Sequence, residues 1–430
     1  MYKPAMLIVL DGFGEGKPDL KTNAIYAAKT PFIDSLKRKY PWTTLDAGGA
    51  SVGVLPGQTG GSDVGHNTIG SGRVIRQPIK IIYDAIEDHS FFQNDQLLAA
   101  INHAKQNNSN LHLMGIGSNS YIHSYLPFLY AILDLINRQQ FPGNRVFLHL
   151  MMDGRDNPPQ SGIDFFRQIQ DQCDIKEVGK IASMIGRFYL DRGKNWERTA
   201  KLYELLTKKD QTFKESPEDY LLESYQTGVT DEFLEPQAFG EEEILPRIAD
   251  NDAVINFCYR ADRQRQITQA ITDPYFTNFA RKNLYNLFYV GMIPYSNDLK
   301  QAKHAFEEEQ AKICLAEVID QAGLRQMHIA GREKIIFVTY NLNRCQDLKL
   351  NTETDLTAPQ TKEVETFDFN PEMSAPELAK SIKTSLEQDP QDVYIINFEN
   401  CDQVGHTGNF AATVQAVEAV DQALSEFLPL

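Results

Sequence analysis

Two glycine-rich turns at opposite ends of the chain constrain what it can fold into. Each follows a short apolar run, and each presents side chains that bind cations. The first is Leu10-Asp11-Gly12-Phe13-Gly14, joined by the loop Gly57-Gln58-Thr59-Gly60-Gly61-Ser62-Asp63-Val64-Gly65-His66. The second is Asn397-Phe398-Glu399-Asn400-Cys401-Asp402-Gln403-Val404-Gly405-His406-Thr407-Gly408. If they meet, the unit that holds them uses both ends of the sequence, with a second unit inserted between. The boundaries expected are 1–78 and 311–430 for the first unit and 79–310 for the second.

The rest of the pattern agrees with an α/β fold. Ala5–Leu10, Leu111–Ile116, Arg145–Met151, Ala253–Cys258, Leu287–Ile293, Ile335–Tyr340 and Val393–Phe398 read as strands. Helical stretches lie between them. Thr30-Pro31 reads as an N-cap followed by proline at the first helical position. Asn409–Phe427 places Val417, Val420, Leu424 and Phe427 on one face. Such alternation predicts mostly parallel sheets covered by helices, with ligands beyond the C-terminal strand ends. Asp11, Asp153 to Asp156, Tyr259-Arg260 and Asp402 all fall there. Polar stretches at Lys208–Pro217 and Tyr295–Glu309 are the loop or linker candidates.

Composition narrows the function. At 430 residues the chain exceeds one ordinary core. A net charge of −16 argues against a nucleic-acid surface, yet a local arginine set can still bind a small anion. Five cysteines without CxxC spacing fit a reduced cytoplasmic chain and give no zinc knuckle. Ala5–Leu10 is too short for a signal or membrane segment, so no membrane partner is expected.

Asp402-x-x-x-His406 sets a carboxylate and an imidazole one helical turn apart, suited to one metal ion. The glycines around Ser62 leave its hydroxyl uncovered and let the backbone approach a bound group. Taken singly, each has a plain alternative: a turn aspartate, a flexible loop, a solvent-facing pair. A serine needs a base or a metal to become a nucleophile. No Gly-x-Ser-x-Gly elbow and no Ser/His/Asp order is evident, so a metal is the more economical activator. A second set carries cations on tight turns: Arg155 and Asp156, Arg187 and Arg192, Arg260 and Arg263. Their guanidinium groups suit a phosphate or carboxylate, with surface ion pairs as the alternative for any one of them. His123 is a proton donor, a hydrogen-bond donor or a satisfied structural histidine.

In order along the sequence, Leu10–Gly14, Asn23-Ala24-Ile25, Thr30-Pro31, the Ser62 loop, Gly70-x-Gly72-Arg73, Asp153-Gly154-Arg155-Asp156, Trp196-Glu197-Arg198, Pro371–Ala375 and Val404–Asn409 resemble motifs of the cofactor-independent (2,3-bisphosphoglycerate-independent) phosphoglycerate mutases. The resemblance implies an alkaline-phosphatase-like metal domain with an inserted transferase domain. It also implies interconversion of 3- and 2-phosphoglycerate with two manganese ions, by a cytoplasmic monomer. Ser62 would accept the phosphoryl group, Asp11 and Ser62 would hold one metal, and Asp402 and His406 the other. His123, Arg155, Asp156, Arg187, Arg192, Arg260, Arg263 and Lys334 would bind substrate, and closure of the inserted domain would exclude water.

Against this pattern the sequence as given lacks the family's later Asp-His-Gly-Asn segment and the histidine segment after it. Thr59-Gly60-Gly61 also stands where Met-Gly-Asn is usual. The expectation is an incomplete metal set and impaired turnover. Another metal-dependent phosphomutase or phosphatase, or an inactive phosphoglycerate-binding remnant, are the alternatives.

Overall fold

The computed structural model describes residues 4–208, 213–214, 216–240, 247–360 and 362–429. It divides into two compact units, Met1–Arg76 with Gln310–Leu430, and Gln77–Glu309. Strands are numbered here in chain order.

The discontinuous unit is built on four parallel strands: β1 (Ala5–Leu10), β10 (Gln326–Gly331), β11 (Glu353–Ala358) and β12 (Val393–Phe398), in the order β1-β12-β10-β11. β12 is apolar nearly throughout because both of its faces are covered, as parallel sheets require. Its side chains alternate. Tyr394, Ile396 and Phe398 pack with Val417, Val420, Leu424 and Phe427. Ile395 points the other way, toward Val338 and Leu342. Phe398 and Phe427 stack with ring centres 6.4 Å apart, and truncating either to alanine would cost about 3–5 kcal/mol.

The helix Phe410–Phe427 starts where the sequence says, with the Asn409 side chain accepting from Ala412 N at 3.2 Å. Thr30 also precedes its helix, Pro31–Lys39, but makes no capping bond to it. Its hydroxyl donates to Asp34 instead, at 3.4 Å. A tertiary cap does the work. Asp421, buried on the helix Phe410–Phe427, accepts from Ile33 N at 2.7 Å and Phe32 N at 3.2 Å. Orphan N–H groups at a helix start need acceptors, and a carboxylate there also meets the favourable end of the helix dipole.

One expected strand is not a strand. Phe337–Asn341, which overlaps the run Ile335–Tyr340, forms a π-helix. The place in the sheet is taken by Gln326–Gly331, which sequence pattern did not mark. Two of its polar side chains are buried but satisfied. Gln326 donates to Ala316 O at 2.9 Å, and His328 Nδ1 donates to Val338 O at 2.7 Å.

The continuous unit holds eight strands: β2 (Leu111–Gly117), β3 (Val146–Met152), β4 (Lys180–Gly186), β5 (Phe213–Lys214), β6 (Gln237–Phe239), β7 (Ala253–Asn256), β8 (Phe288–Gly291) and β9 (Lys303–His304). Their order is β5-β6-β4-β3-β2-β7-β8-β9, parallel except between β4 and β6. A polar seam crosses the central strands. Asp252 Oδ2 faces His112 Nε2 at 3.1 Å, His112 Nδ1 faces His149 Nε2 at 2.9 Å, and His149 Nδ1 faces Ser183 Oγ at 2.8 Å. Burial and the neighbouring His112 hold the His149 pKa well below its ordinary value. The seam lies at a register shift between Leu148 and His149, and the two strands stay paired from there to Met152 and Gly186, which lead into Asp153 and Arg187.

Of the loop candidate 208–217, residues 209–212 and 215 lie outside the described residues, and Phe213–Lys214 pairs as β5. The candidate 295–309 contains β9 and ends at the unit boundary. Among the described residues no helix is long and apolar enough to cross a membrane.

Candidate active site

The early and late turns meet within the discontinuous unit. β1 and β12 are neighbours, so Asp11 and the segment that carries Asp402 leave the sheet side by side. Asp11 N donates to Phe398 O at 3.0 Å and Asp402 N donates to Asp11 O at 3.1 Å. Gly12 makes that approach possible. Its φ is +75°, and a Cβ there would lie 2.4 Å from Asp402 N.

Ser62 is the first residue of the helix Ser62–Ser71. Its Oγ lies 3.0 Å from both carboxylate oxygens of Asp11. Lys334, from the turn after β10, is 3% exposed and places Nζ 2.6 Å from Ser62 Oγ. The same ammonium group is 2.7 Å from Asp402 Oδ2 and 3.1 Å from Asp11 Oδ2. The hydroxyl proton therefore points to Asp11, and Lys334 donates to the remaining lone pair. Phe337 of the π-helix supports the ammonium group, its ring centre 4.9 Å from Nζ.

His66 sits one turn below Ser62, a neighbour that the spacing i,i+4 on the Ser62 helix could have revealed. Its Nδ1 donates to Ser62 O at 2.7 Å, and its Nε2 accepts from Asn397 Nδ2 at 3.0 Å. That pattern is a neutral imidazole, and burial lowers its pKa accordingly. Asn397 Nδ2 also donates to Asp11 Oδ2 at 3.1 Å, which fixes the carboxylate from the far side. His406 is the outlying member: its side chain is 75% exposed and its Nε2 is 3.5 Å from Asp402 Oδ1.

The donors Asp11, Ser62, Asp402 and His406 are oxygens with one imidazole, a set for hard or borderline divalent ions. Three of them already converge on a positive charge, the Lys334 ammonium group, so the residues fit a cation. A group of three ligand atoms within 4.8 Å of one another occurs elsewhere, at His328, Glu353 and Asp355. There both His328 nitrogens face acceptors, Val338 O at 2.7 Å and Gln326 Oε1 at 3.1 Å, which leaves the imidazole poorly disposed toward a metal.

The second set lies in the continuous unit, at the ends of β2, β3, β4 and β7. Arg187, 2% exposed, donates through Nη1 to Asp153 and, at 2.5 Å, to Asp156 Oδ2. Asp153 is itself held by Ser118 Oγ at 2.7 Å and Asn157 Nδ2 at 2.9 Å. Asp262, absent from the sequence reading, binds Arg192 at 2.8 Å and lies 3.5 Å from His123 Nδ1 and 3.8 Å from Arg260 Nε. Arg263 Nη1 donates to Leu190 O at 3.0 Å. Burial and the neighbouring Arg187 and Arg192 lower its pKa to about 10. Burial, then Arg187, lower the His123 pKa to about 4, so it is neutral at physiological pH. Arg155 stands apart, 56% exposed, with Nη1 3.3 Å from Glu232. Among the described residues, His123 Nδ1, Arg187 Nε and Arg263 Nε are buried without hydrogen-bond partners. Nitrogens of this kind gathered in one cluster can donate to an anion.

Fold and cluster together define a class: an α/β enzyme in which a serine lies among carboxylates and a lysine at the strand ends of a discontinuous unit. Comparison with known proteins is more specific. The family described as "BPG-independent PGAM N-terminus (iPGM_N)" matches residues 82–297. The 2,3-bisphosphoglycerate-independent phosphoglycerate mutase of Salinibacter ruber is 41% identical over 98% of this chain and 81% of its own length. The enzyme of that name numbered 1 in Methanosarcina barkeri is 40% identical over 99% of this chain and 82% of its own. A solved structure of Leishmania mexicana phosphoglycerate mutase at low cobalt concentration superposes with a TM-score of 0.72 at 28% identity, covering 99% of this chain and 80% of that one. The chain belongs to the 2,3-bisphosphoglycerate-independent phosphoglycerate mutase family.

Proposed function

We propose that the chain interconverts 3-phosphoglycerate and 2-phosphoglycerate, a step of glycolysis, through a phosphoserine at Ser62. The observation that carries the proposal is the Ser62 hydroxyl, poised between the Asp11 carboxylate and the Lys334 ammonium group at a helix N-terminus. Asp11 takes the hydroxyl proton as Oγ attacks phosphorus, and hands it to the glycerate oxygen as that oxygen's bond to phosphorus breaks. Lys334 and the first N–H groups of the helix Ser62–Ser71 offset negative charge on the transferring group. The other hydroxyl of the glycerate then attacks the phosphoserine and gives its proton to Asp11, which returns it to Ser62 Oγ as that bond to phosphorus breaks.

Divalent cations held by Asp11, Ser62, Asp402 and His406, manganese being the expected metal, would add Lewis-acid neutralisation of the phosphoryl oxygens. The discontinuous unit is thus the phosphatase-like metal-binding part. The continuous unit is the transferase part, in which His123, Arg155, Asp156, Arg187, Arg192, Arg260, Arg263 and the unassigned Asp153 and Asp262 bind the glycerate and its carboxylate. Lys334 moves, in this reading, from substrate binding to the serine itself. The enzyme is read as a cytoplasmic monomer, which size-exclusion chromatography tests.

Incubating the chain with 3-phosphoglycerate and Mn²⁺, without bisphosphoglycerate, should yield 2-phosphoglycerate and a trapped phosphoryl adduct on the Ser62 peptide. Hydrolysis to glycerate alone, or binding without turnover, would replace this reading with a phosphatase or a binding remnant.

A further inference from the structure

Gly331 ends β10 and Glu399 follows β12, the neighbouring strand. Glu399 is fully buried. Its Oε1 accepts from Ser374 Oγ at 2.8 Å, and its Oε2 accepts from Glu333 N at 3.2 Å. Burial pushes its pKa up, against the two hydrogen bonds, which favour the ionised form.

The carboxyl group lies where a side chain on residue 331 would have to be. A Cβ on Gly331 would sit 2.0 Å from Glu399 Oε1, 2.3 Å from its Cδ and 2.4 Å from Ser374 Oγ. Gly331 has no left-handed φ, so backbone conformation does not demand glycine here. The carboxylate does. Three segments converge on it: the turn that leads to Lys334, the Pro371–Ala375 segment with Ser374, and the helix Asn400–Gly405 with Asp402, which begins at the next residue.

We infer that Glu399 is a positioning residue. Through the Glu333 amide it fixes the turn that delivers Lys334 Nζ to Ser62 Oγ, and Gly331 is needed to leave it room. The inference rests on the proposed activity only for its effect on turnover.

A double-mutant cycle with local hydrogen exchange tests it. Glu399→Ala should raise amide exchange across 332–336 by about tenfold or more beyond any change elsewhere. Glu399→Gln should keep the protection, because its carbonyl can face Glu333 N while its NH₂ group turns to Ser374 Oγ. Gly331→Ala should lower the unfolding midpoint in the wild-type background and cost clearly less in Glu399→Ala, where the Ser374 hydroxyl, 2.4 Å from the added Cβ, is no longer tied to Glu399 and can turn away, a coupling that distant residues do not show. If Glu399→Ala does not fold, Glu399→Asp, which withdraws the carboxyl by one methylene, takes its place. Where the chain turns over, Glu399→Ala should lower kcat about tenfold at unchanged KM, with recovery in Glu399→Gln. Unchanged exchange at 332–336, or an equal cost of Gly331→Ala in both backgrounds, overturns the inference. A chain without turnover leaves those two readouts intact and counts against the activity instead.

Discussion

Around Ser62, one ammonium group lies within 3.1 Å of two carboxylates and the serine hydroxyl. Around Arg187, several cations share a smaller number of acids, and three buried nitrogens have no partner among the described residues. The first cluster has one cation for two carboxylates, and it already orients the Ser62 hydroxyl. The second is left wanting negative charge. Under the proposed function the first arrangement serves phosphoryl transfer and the second holds the anionic substrate.

Four experiments press on that contrast. Ser62→Ala should remove turnover by about 10⁴-fold or more while leaving stability nearly unchanged, since the nucleophile is lost and little packing with it. A coupled assay and a denaturation curve read both. Lys334→Met should lower turnover by about 10²–10³-fold and destabilise the fold, because Asp11 and Asp402 would face each other without the cation. If the donors suit a metal, added Mn²⁺ should return part of that stability in a thermal-shift assay. A Lys334→Met protein as stable as wild type would break the description of Lys334 as the cation that holds the two carboxylates together.

Arg187→Met tests the other side. It strands Asp153, whose side chain is 1% exposed, and should cost about 3–5 kcal/mol in chemical denaturation. Added phosphoglycerate should not restore it. The smallest effect concerns His123, whose pKa falls from 6.5 to about 4 on folding. Between those values the unfolded chain binds more protons than the folded one. Stability from this group is therefore full above about pH 6.5 and declines by about 2–3 kcal/mol as pH falls toward 4. Subtracting the pH–stability curve of His123→Asn from that of the wild type should isolate this slope, and parallel curves would show that His123 is not held neutral.

Much of the first cluster was legible because apolar strands followed by turn residues announce themselves. Ala5–Leu10 and Val393–Phe398 were readable as strands, so Asp11 and Asp402 could be set at strand ends. The strand Gln326–Gly331 was not readable, because Gln326 and His328 look solvent-facing until their buried partners are known. The neighbouring run Ile335–Tyr340 misled in the opposite sense. Its apolar composition suggests a strand, yet only Val338 within it is buried. Asp262 escaped because its partners Arg192 and His123 are distant in sequence, and His66, one turn from Ser62, because only its contact with Asn397 ties it to Asp11. The cap on the helix Pro31–Lys39 failed for the same reason: Thr30 has the right type and position, but Asp421 supplies the acceptor.

The pairing of Ala5 with Val393 has a consequence for synthesis. While the ribosome works through the middle of the message, β1 has no neighbour to pair with. The continuous unit Gln77–Glu309 can close on itself first, since all its strands are already made. β1 must then wait, apolar and unpaired, until β12 is made. Pairing between segments so far apart in sequence makes assembly of the discontinuous unit slow.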